Sequence, residues 1–297
     1  MTGVQTCALP ICFDLVFVGH DHAGWEGKGY DPVTKKKDVD VKDPSGKVVP
    51  IFGPLDAAKN VAVVEMELLW NKETKTWTKT TTGSLVPVKG VAPDPAFLAK
   101  FDPAKAELMA WVERPIGTMV GKIHSDDALF GDSAFVDLIH RIQLELCADP
   151  SMGLKPAQIS IAAPLDQNAF LPTTTDGTIK VRDMFSLYKY ENFLYTMDLT
   201  GEQLRKFMEF NYGGQFNTMT GPGDHLIAFL KDKDGNMIFN ARYNNYDTVT
   251  RAYNYDSVAG IKYTVDVSKP VGSRVSILSM ADGSPFDLGK TYSVAIN

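Results

Sequence analysis

The chain has 297 residues, of which 44% are apolar and 22% charged, with a formal net charge of −6. That length suggests about two domains, and the balance is ordinary for a globular chain with a packed core. It argues against a nucleic-acid polymer as partner, because phosphate-backbone binding needs a basic face. No apolar run approaches the roughly 18–20 residues of a membrane span. The three cysteines, Cys7, Cys12 and Cys147, form neither a CxxC pair nor a disulfide framework.

Residues 1–12 lack the basic start and apolar centre of a signal peptide. The string from Gly3 to Ile11 resembles translated sequencing-adapter sequence, so residues 1–12 are expected to be an artefact and stand outside the fold. The run Phe13–Val18 predicts a buried strand, and Gly19-His20-Asp21-His22 follows it directly. Two histidines spaced i, i+2 at a strand end can project to one side. Neutral imidazole is the commonest protein ligand for transition metals, so His20 and His22 are candidate metal ligands.

Two histidines do not complete a catalytic metal site, which takes three protein ligands or, for a metal pair, more. The other histidines, His124, His140 and His225, have no ligand-like spacing, and His140 sits in the helical pattern Phe135–Ile142. The remaining ligands are therefore expected to be missing, and the chain reads as a fragment. No catalytic residue is assigned within it.

Beyond the His pair, Lys35-Lys36-Lys37 is followed at once by Asp38-Val39-Asp40 and reads as a solvated loop. Asp43-Pro44-Ser45-Gly46 marks a turn. Strands are expected at Val48–Phe52 and Asn60–Trp70, with Thr76–Thr82 pairing the second as a hairpin. Prolines 93, 95 and 103 punctuate a change of character, and Ala104–Glu113 has helical spacing with Pro115 as a stop. The expected organisation is a β-rich domain remnant over 13–92, an interdomain helix and linker over 93–115, and a second domain over 116–297. At about 180 residues the second domain is large enough for its own core.

Within it a helix is expected at about 132–147, a strand at Ala157–Ala163, a short helix at Val181–Leu187 and a strand at Phe193–Leu199. Thr200 and Gln203 have the spacing of a capping box for a helix through Asn211. Strands are expected at Leu226–Leu230, Ile261–Val267, Arg274–Leu278 and Tyr292–Ile296. Asp232-Lys233-Asp234-Gly235 begins like a calcium loop, but Gly is fourth rather than sixth, so an Asp-Gly hairpin turn is the better reading.

The segment Asp183–Gly201, with Tyr190-Glu191-Asn192 between a short helix and a Leu-Thr-Gly helix start, resembles the C-terminal domain of the bacterial 5'-nucleotidase and 2',3'-cyclic-nucleotide phosphodiesterase family. Tyr253–Pro270 is similar to the cyclic-phosphodiesterase branch, and Gly19–His22 resembles the last metal-ligand motif of the calcineurin-like metallophosphoesterase domain that precedes it. The resemblance implies an α/β fold: a mixed α/β 5'-nucleotidase-type domain behind an incomplete metallophosphoesterase β-sandwich remnant. It implies a divalent metal pair (Mn, Zn or similar) in the complete protein, a nucleotide or nucleoside substrate, and a periplasmic or secreted location.

Tyr190 then matches an aromatic ring that stacks the base, and Asn192 an adjacent polar contact to it. Ala163–Phe170 stands where many 5'-nucleotidases carry a Gly-rich, Arg-bearing loop, which favours the cyclic-phosphodiesterase branch. The chain ends at Asn297, just short of where the family places its second ring, and the complete protein is expected to hydrolyse nucleotide phosphoesters. The alternatives are a nucleotide-binding module with no catalysis of its own, and sulfur-ester hydrolysis on the same scaffold.

Overall fold

The computed structural model describes residues 13–20, 22–30, 37–166, 168–240 and 245–297. The segment set aside at 1–12, Asp21 of the His motif, most of the Lys35–Lys37 run and Gln167 lie outside the described residues. The chain divides into two compact units, one up to Phe101 and one from Asp102.

In the first unit β1 (Val16–Phe17) pairs in parallel with β5 (Ile51–Leu55), whose other side takes β2 (Ala23–Glu26) antiparallel. β3 (Gly29–Tyr30) and β4 (Lys37–Val39) form a small ribbon of their own. The buried strand expected over Phe13–Val18 is thus only two residues long, and Phe13 and Phe17 are exposed rather than buried. β6 (Asn60–Asn71) and β7 (Thr76–Pro87) make a long antiparallel hairpin in which Trp70 faces Trp77. It runs five residues beyond the expected Thr82, because Gly83–Pro87 pair with the first five residues of β6, Asn60–Val64.

Helix α1 (Pro95–Val112) begins well before Ala104. Asp94 caps it by accepting the N–H groups of Ala96 and Phe97, and Pro95 takes the first-turn position where a missing N–H costs nothing.

The second unit carries β8 (Pro115–Thr118), β9 (Ile123–His124), α2 (Ala134–Ala148), β10 (Ile159–Ala162), β11 (Phe170–Leu171), β12 (Thr178–Lys180), α3 (Val181–Leu187), β13 (Tyr195–Thr200) and α4 (Gly201–Gln215). After α4 come β14 (Phe239–Asn240), β15 (Asn245–Tyr246), β16 (Ser257–Ala259), β17 (Ile261–Val265), β18 (Val275–Met280) and β19 (Thr291–Ile296). The expected strand Leu226–Leu230 is instead an irregular segment held by isolated bridges from Ile227 to Phe216 and from Phe229 to Thr248. The Asp232 turn is a hairpin turn, with Gly235 in the left-handed conformation and the Asp232 N–H donating to the Asn236 carbonyl.

The central sheet has the order β13-β19-β10-β16, with β10 and β19 parallel and the two outer strands antiparallel to them. Strand alternation sorts its two faces. Ile159 and Ile161 point to the side of α4, where they join Leu204, Met208, Tyr212 and Val294 in one buried cluster. Ser160 and Ala162 point the other way, to α2, whose Phe135, Val136 and Ile139 form a second cluster with Leu187 and Leu171. The Thr200–Gln203 capping box forms as expected, the Thr200 hydroxyl accepting the Gln203 N–H at 3.2 Å and the Gln203 amide oxygen accepting the Thr200 N–H at 2.8 Å. At the turn from β16 into β17, Gly260 has φ +96° and a Cβ there would stand 2.2 Å from the Gln158 carbonyl oxygen, so only glycine fits.

Candidate functional site at the sheet edge

The register of the central sheet decides which loops meet. Ala295 of β19 is level with Ser160 of β10 and Thr196 of β13, and Ser160 is level with Ala259 of β16. The ends of β10 and β19 and the starts of β13 and β16 therefore share one edge. Segments 163–169, 188–194 and 251–256 all emerge there. In open α/β sheets ligands bind outside the carboxyl ends of the parallel strands, and β10 and β19 both point to this edge.

Tyr190 and Asn192 lie in the 188–194 segment. The Tyr190 ring is 56% exposed and packs into neither core cluster. The Asn192 amide donates to the Tyr188 hydroxyl at 2.9 Å. Burial raises the Tyr188 pKa despite that bond, so the phenol stays neutral. The Lys189 ammonium stands 5.5 Å from the centroid of the Tyr190 ring. It also donates to Asp166 at 3.0 Å. Burial pushes the Asp166 carboxyl up, but the Asn168 N–H and the Lys189 ammonium outweigh it and hold the group below the usual carboxylate range. Asp256, directly before β16, is pushed up to about 6 by burial.

Beneath this edge His140 is buried between the two strands that end and begin there. Its Nδ1 pairs with the Ser160 hydroxyl and its Nε2 with the Ser257 hydroxyl, each at 2.9 Å. The Ser160 hydroxyl in turn donates to Gln143 at 2.6 Å. Burial lowers the His140 pKa to about 4, so the ring is neutral at physiological pH and ties α2 to β10 and β16. It is a structural residue, as its helical setting in the sequence suggested.

The two metal-ligand candidates lie in the first unit, in the turn after β1. His22 has φ +57°, and the rings of His20 and His22 have centroids 6.1 Å apart. Two imidazoles sharing a tetrahedral metal at about 2.0–2.1 Å have centroids roughly 5 Å apart, so this pair stands wider than shared ligation requires. Among the described residues no group of three or more His, Cys, Asp or Glu stands together to hold a metal ion. The donors among the described residues do not fit a metal pair.

A separate open cleft of about 660 Å³ lies along the outer side of β16, lined by Phe130, Asp132, Asp137, Tyr212, Phe216 and Tyr263 among others. Burial and the adjacent Asp132 raise the pKa of Asp137. Two carboxyl groups with Lys262 as the one cation in the lining repel rather than attract a phosphate. Neither Tyr190 nor Asn192 lines it.

Lys189, Asp166 and Asp256 were not singled out in the sequence. Lys189 is beside Tyr190 and was open to notice. Its partner lies 23 residues upstream, and only the sheet order brings the two loops together.

The family model for the 5'-nucleotidase C-terminal domain matches residues 115–297. The 2',3'-cyclic-nucleotide 2'-phosphodiesterase/3'-nucleotidase of Salmonella typhimurium is 24% identical over 315 residues, spanning 96% of this chain and 45% of that protein. The enzyme of the same description from Haemophilus influenzae is 25% identical over 275 residues, spanning 86% of this chain and 39% of that protein. A solved structure assigned as a 5'-nucleotidase of Staphylococcus aureus superposes with a TM-score of 0.59 at 18% identity, over 96% of this chain and 46% of that one, which speaks for the fold. The chain thus spans less than half the length of these relatives. Among its described residues no helix is long and apolar enough to cross a membrane. With the family model matched from the start of β8 to the last residue, the chain belongs to the 5'-nucleotidase C-terminal domain family.

Proposed function

We propose that residues 116–297 bind the base of a nucleotide at the sheet edge, with Tyr190 as the stacking ring and Asn192 as a polar contact. The chain then serves a metal-dependent phosphohydrolase of 5'-nucleotides, 3'-nucleotides or 2',3'-cyclic nucleotides, in the periplasm or secreted. The observation that carries this reading is the exposed Tyr190 ring, two residues before Asn192, on the segment that emerges at the edge where two parallel strands end.

The chemistry divides between binding and hydrolysis. A ring face takes any base, at about 1–3 kcal/mol per stacked base, which suits an enzyme with several nucleotide substrates. Asn192 carries both an acceptor and two donors, and releasing Tyr188 frees its amide for the base edge. A divalent metal pair supplies activated water and charge neutralisation at phosphorus when bound. On this chain His20 and His22 would contribute two imidazoles toward it, residues 13–92 being read as part of a metallophosphoesterase domain. Two ligands do not assemble the pair, so this chain by itself is a nucleotide-binding module without turnover.

Purified chain with added Mn²⁺ or Zn²⁺ is expected to leave bis(p-nitrophenyl) phosphate intact. Turnover that disappears in His20→Ala contradicts that part of the reading. Adenosine is expected to bind weakly, on the order of millimolar, because one stacked base barely offsets lost translational freedom. Tyr190→Ala is expected to abolish this binding and Tyr190→Phe to keep it. Equal affinity in all three proteins contradicts the assignment of the ring.

A further inference from the structure

The loop after β10 has no arginine in its sequence, and the cation over the Tyr190 ring is Lys189 of the ring's own segment. Lys189 sits over one face of that ring, 5.5 Å from its centroid, and is tethered at 3.0 Å to Asp166. Asp166 is itself anchored, its other carboxylate oxygen accepting the Asn168 N–H at 3.0 Å. The tether therefore joins Asp166, in the loop after β10, to the 188–194 segment that carries the ring. A lysine held over one face leaves only the opposite face free for a flat ligand. It also restricts the rotation of a ring that is otherwise exposed.

We propose that Lys189 and Asp166 form a latch that covers one face of Tyr190 and fixes the ring, so that a nucleobase stacks on the other face alone. The proposal rests on the reading of Tyr190 as the stacking ring. Lys189 and Asp166 are positioning residues, acting through the ring. An ammonium over an exposed ring and an exposed ion pair are each modest interactions. The latch is accordingly worth about fivefold in affinity for a nucleoside, and it weakens with salt. Arginine keeps the function, because guanidinium both stacks on aromatic faces and pairs with carboxylate.

The test uses the full chain and two readouts. The first needs no ligand: protons above an aromatic ring are shielded, so the Lys189 ε-methylene resonances are expected upfield of their free-chain position. They return to that position in Tyr190→Leu and in Asp166→Asn. Unshifted Lys189 resonances in the unmodified chain overturn the latch. The second is adenosine titration followed by NMR. Lys189→Met and Asp166→Asn are expected to weaken binding about fivefold at low salt and to remove its salt dependence, while Lys189→Arg retains both. If Tyr190→Ala abolishes binding but Lys189→Met and Asp166→Asn leave it unchanged, the latch is wrong and the ring assignment stands. If Tyr190→Ala has no effect, or adenosine gives no saturable shift, the ring assignment fails and the latch loses its role with it.

Discussion

The two units handle similar sequence material in opposite ways. In the unit from Asp102 onward, apolar residues of β10 and β19 disappear between α2 and α4: Ile159, Val294 and Ala295 are all at 0% exposure. In the unit up to Phe101, the hairpin β6–β7 keeps Val61, Val63, Leu68, Trp70 and Trp77 about half exposed. Its inward positions, such as Ala62, Val64 and Met66, reach only intermediate burial. Both regions satisfy their backbone in strands. Only the strands of the unit from Asp102 also have their side chains enclosed from both faces, and burial rather than strand pairing supplies most of the stabilisation. Alternation along a strand reports which residues share a face, not whether anything covers that face.

Hydrogen exchange should show the largest contrast. Amides of β10 and β19 are expected to exchange about a thousandfold or more slowly than those of β6 and β7, because core strands open only with the whole domain. Equal protection in the two regions breaks the comparison. Limited proteolysis should follow the same order, trimming the first unit before the second.

A smaller effect belongs to His140. His140→Ala deletes a buried ring and leaves the Ser160 and Ser257 hydroxyls without it. The expected loss is about 2–4 kcal/mol, or roughly 5–15 °C in Tm. His140 also gives the unmodified protein an acid limb. The unfolded histidine titrates near 6.5 and the folded one at about 4. Between those values the unfolded state binds the extra proton, so stability is lost as pH falls through that window. A variant whose thermal stability keeps the full acid limb contradicts this assignment.

The smallest effect has the opposite sign. Asp256 holds its proton to about pH 6 in the folded state against 3.8 when free, so stability is lost as pH rises from 3.8 to 6. Asp256→Asn removes that cost and is expected to stabilise the second unit by about 1–3 kcal/mol at pH 8, with little change at pH 4. Destabilisation at pH 8 would show that the carboxylate has a partner.

The fold was legible wherever a local signal matched a buried element. The Thr200–Gln203 box, α3 and the alternation of β17 and β19 all rest on spacing that tertiary packing reinforces. The missed elements are short. β16 has three residues, and its identity as a sheet strand depends on pairing with β10, nearly a hundred residues away. Leu226–Leu230 has strand composition, yet it makes bridges rather than a continuous ladder. At the candidate site Tyr190 and Asn192 come from the family resemblance of their segment. Lys189 stands next to Tyr190 in the sequence, but its pairing with Asp166 exists only once β10 and β13 lie in one sheet.

The most direct test of the central claim is where a nucleoside sits. Crystals of the chain soaked with adenosine above its dissociation constant should show the base on the Tyr190 ring, on the face opposite Lys189, with Asn192 turned to the base edge. Adenosine in the cleft lined by Tyr212 and Tyr263, with Tyr190 bare and Asn192 still on Tyr188, would contradict the account.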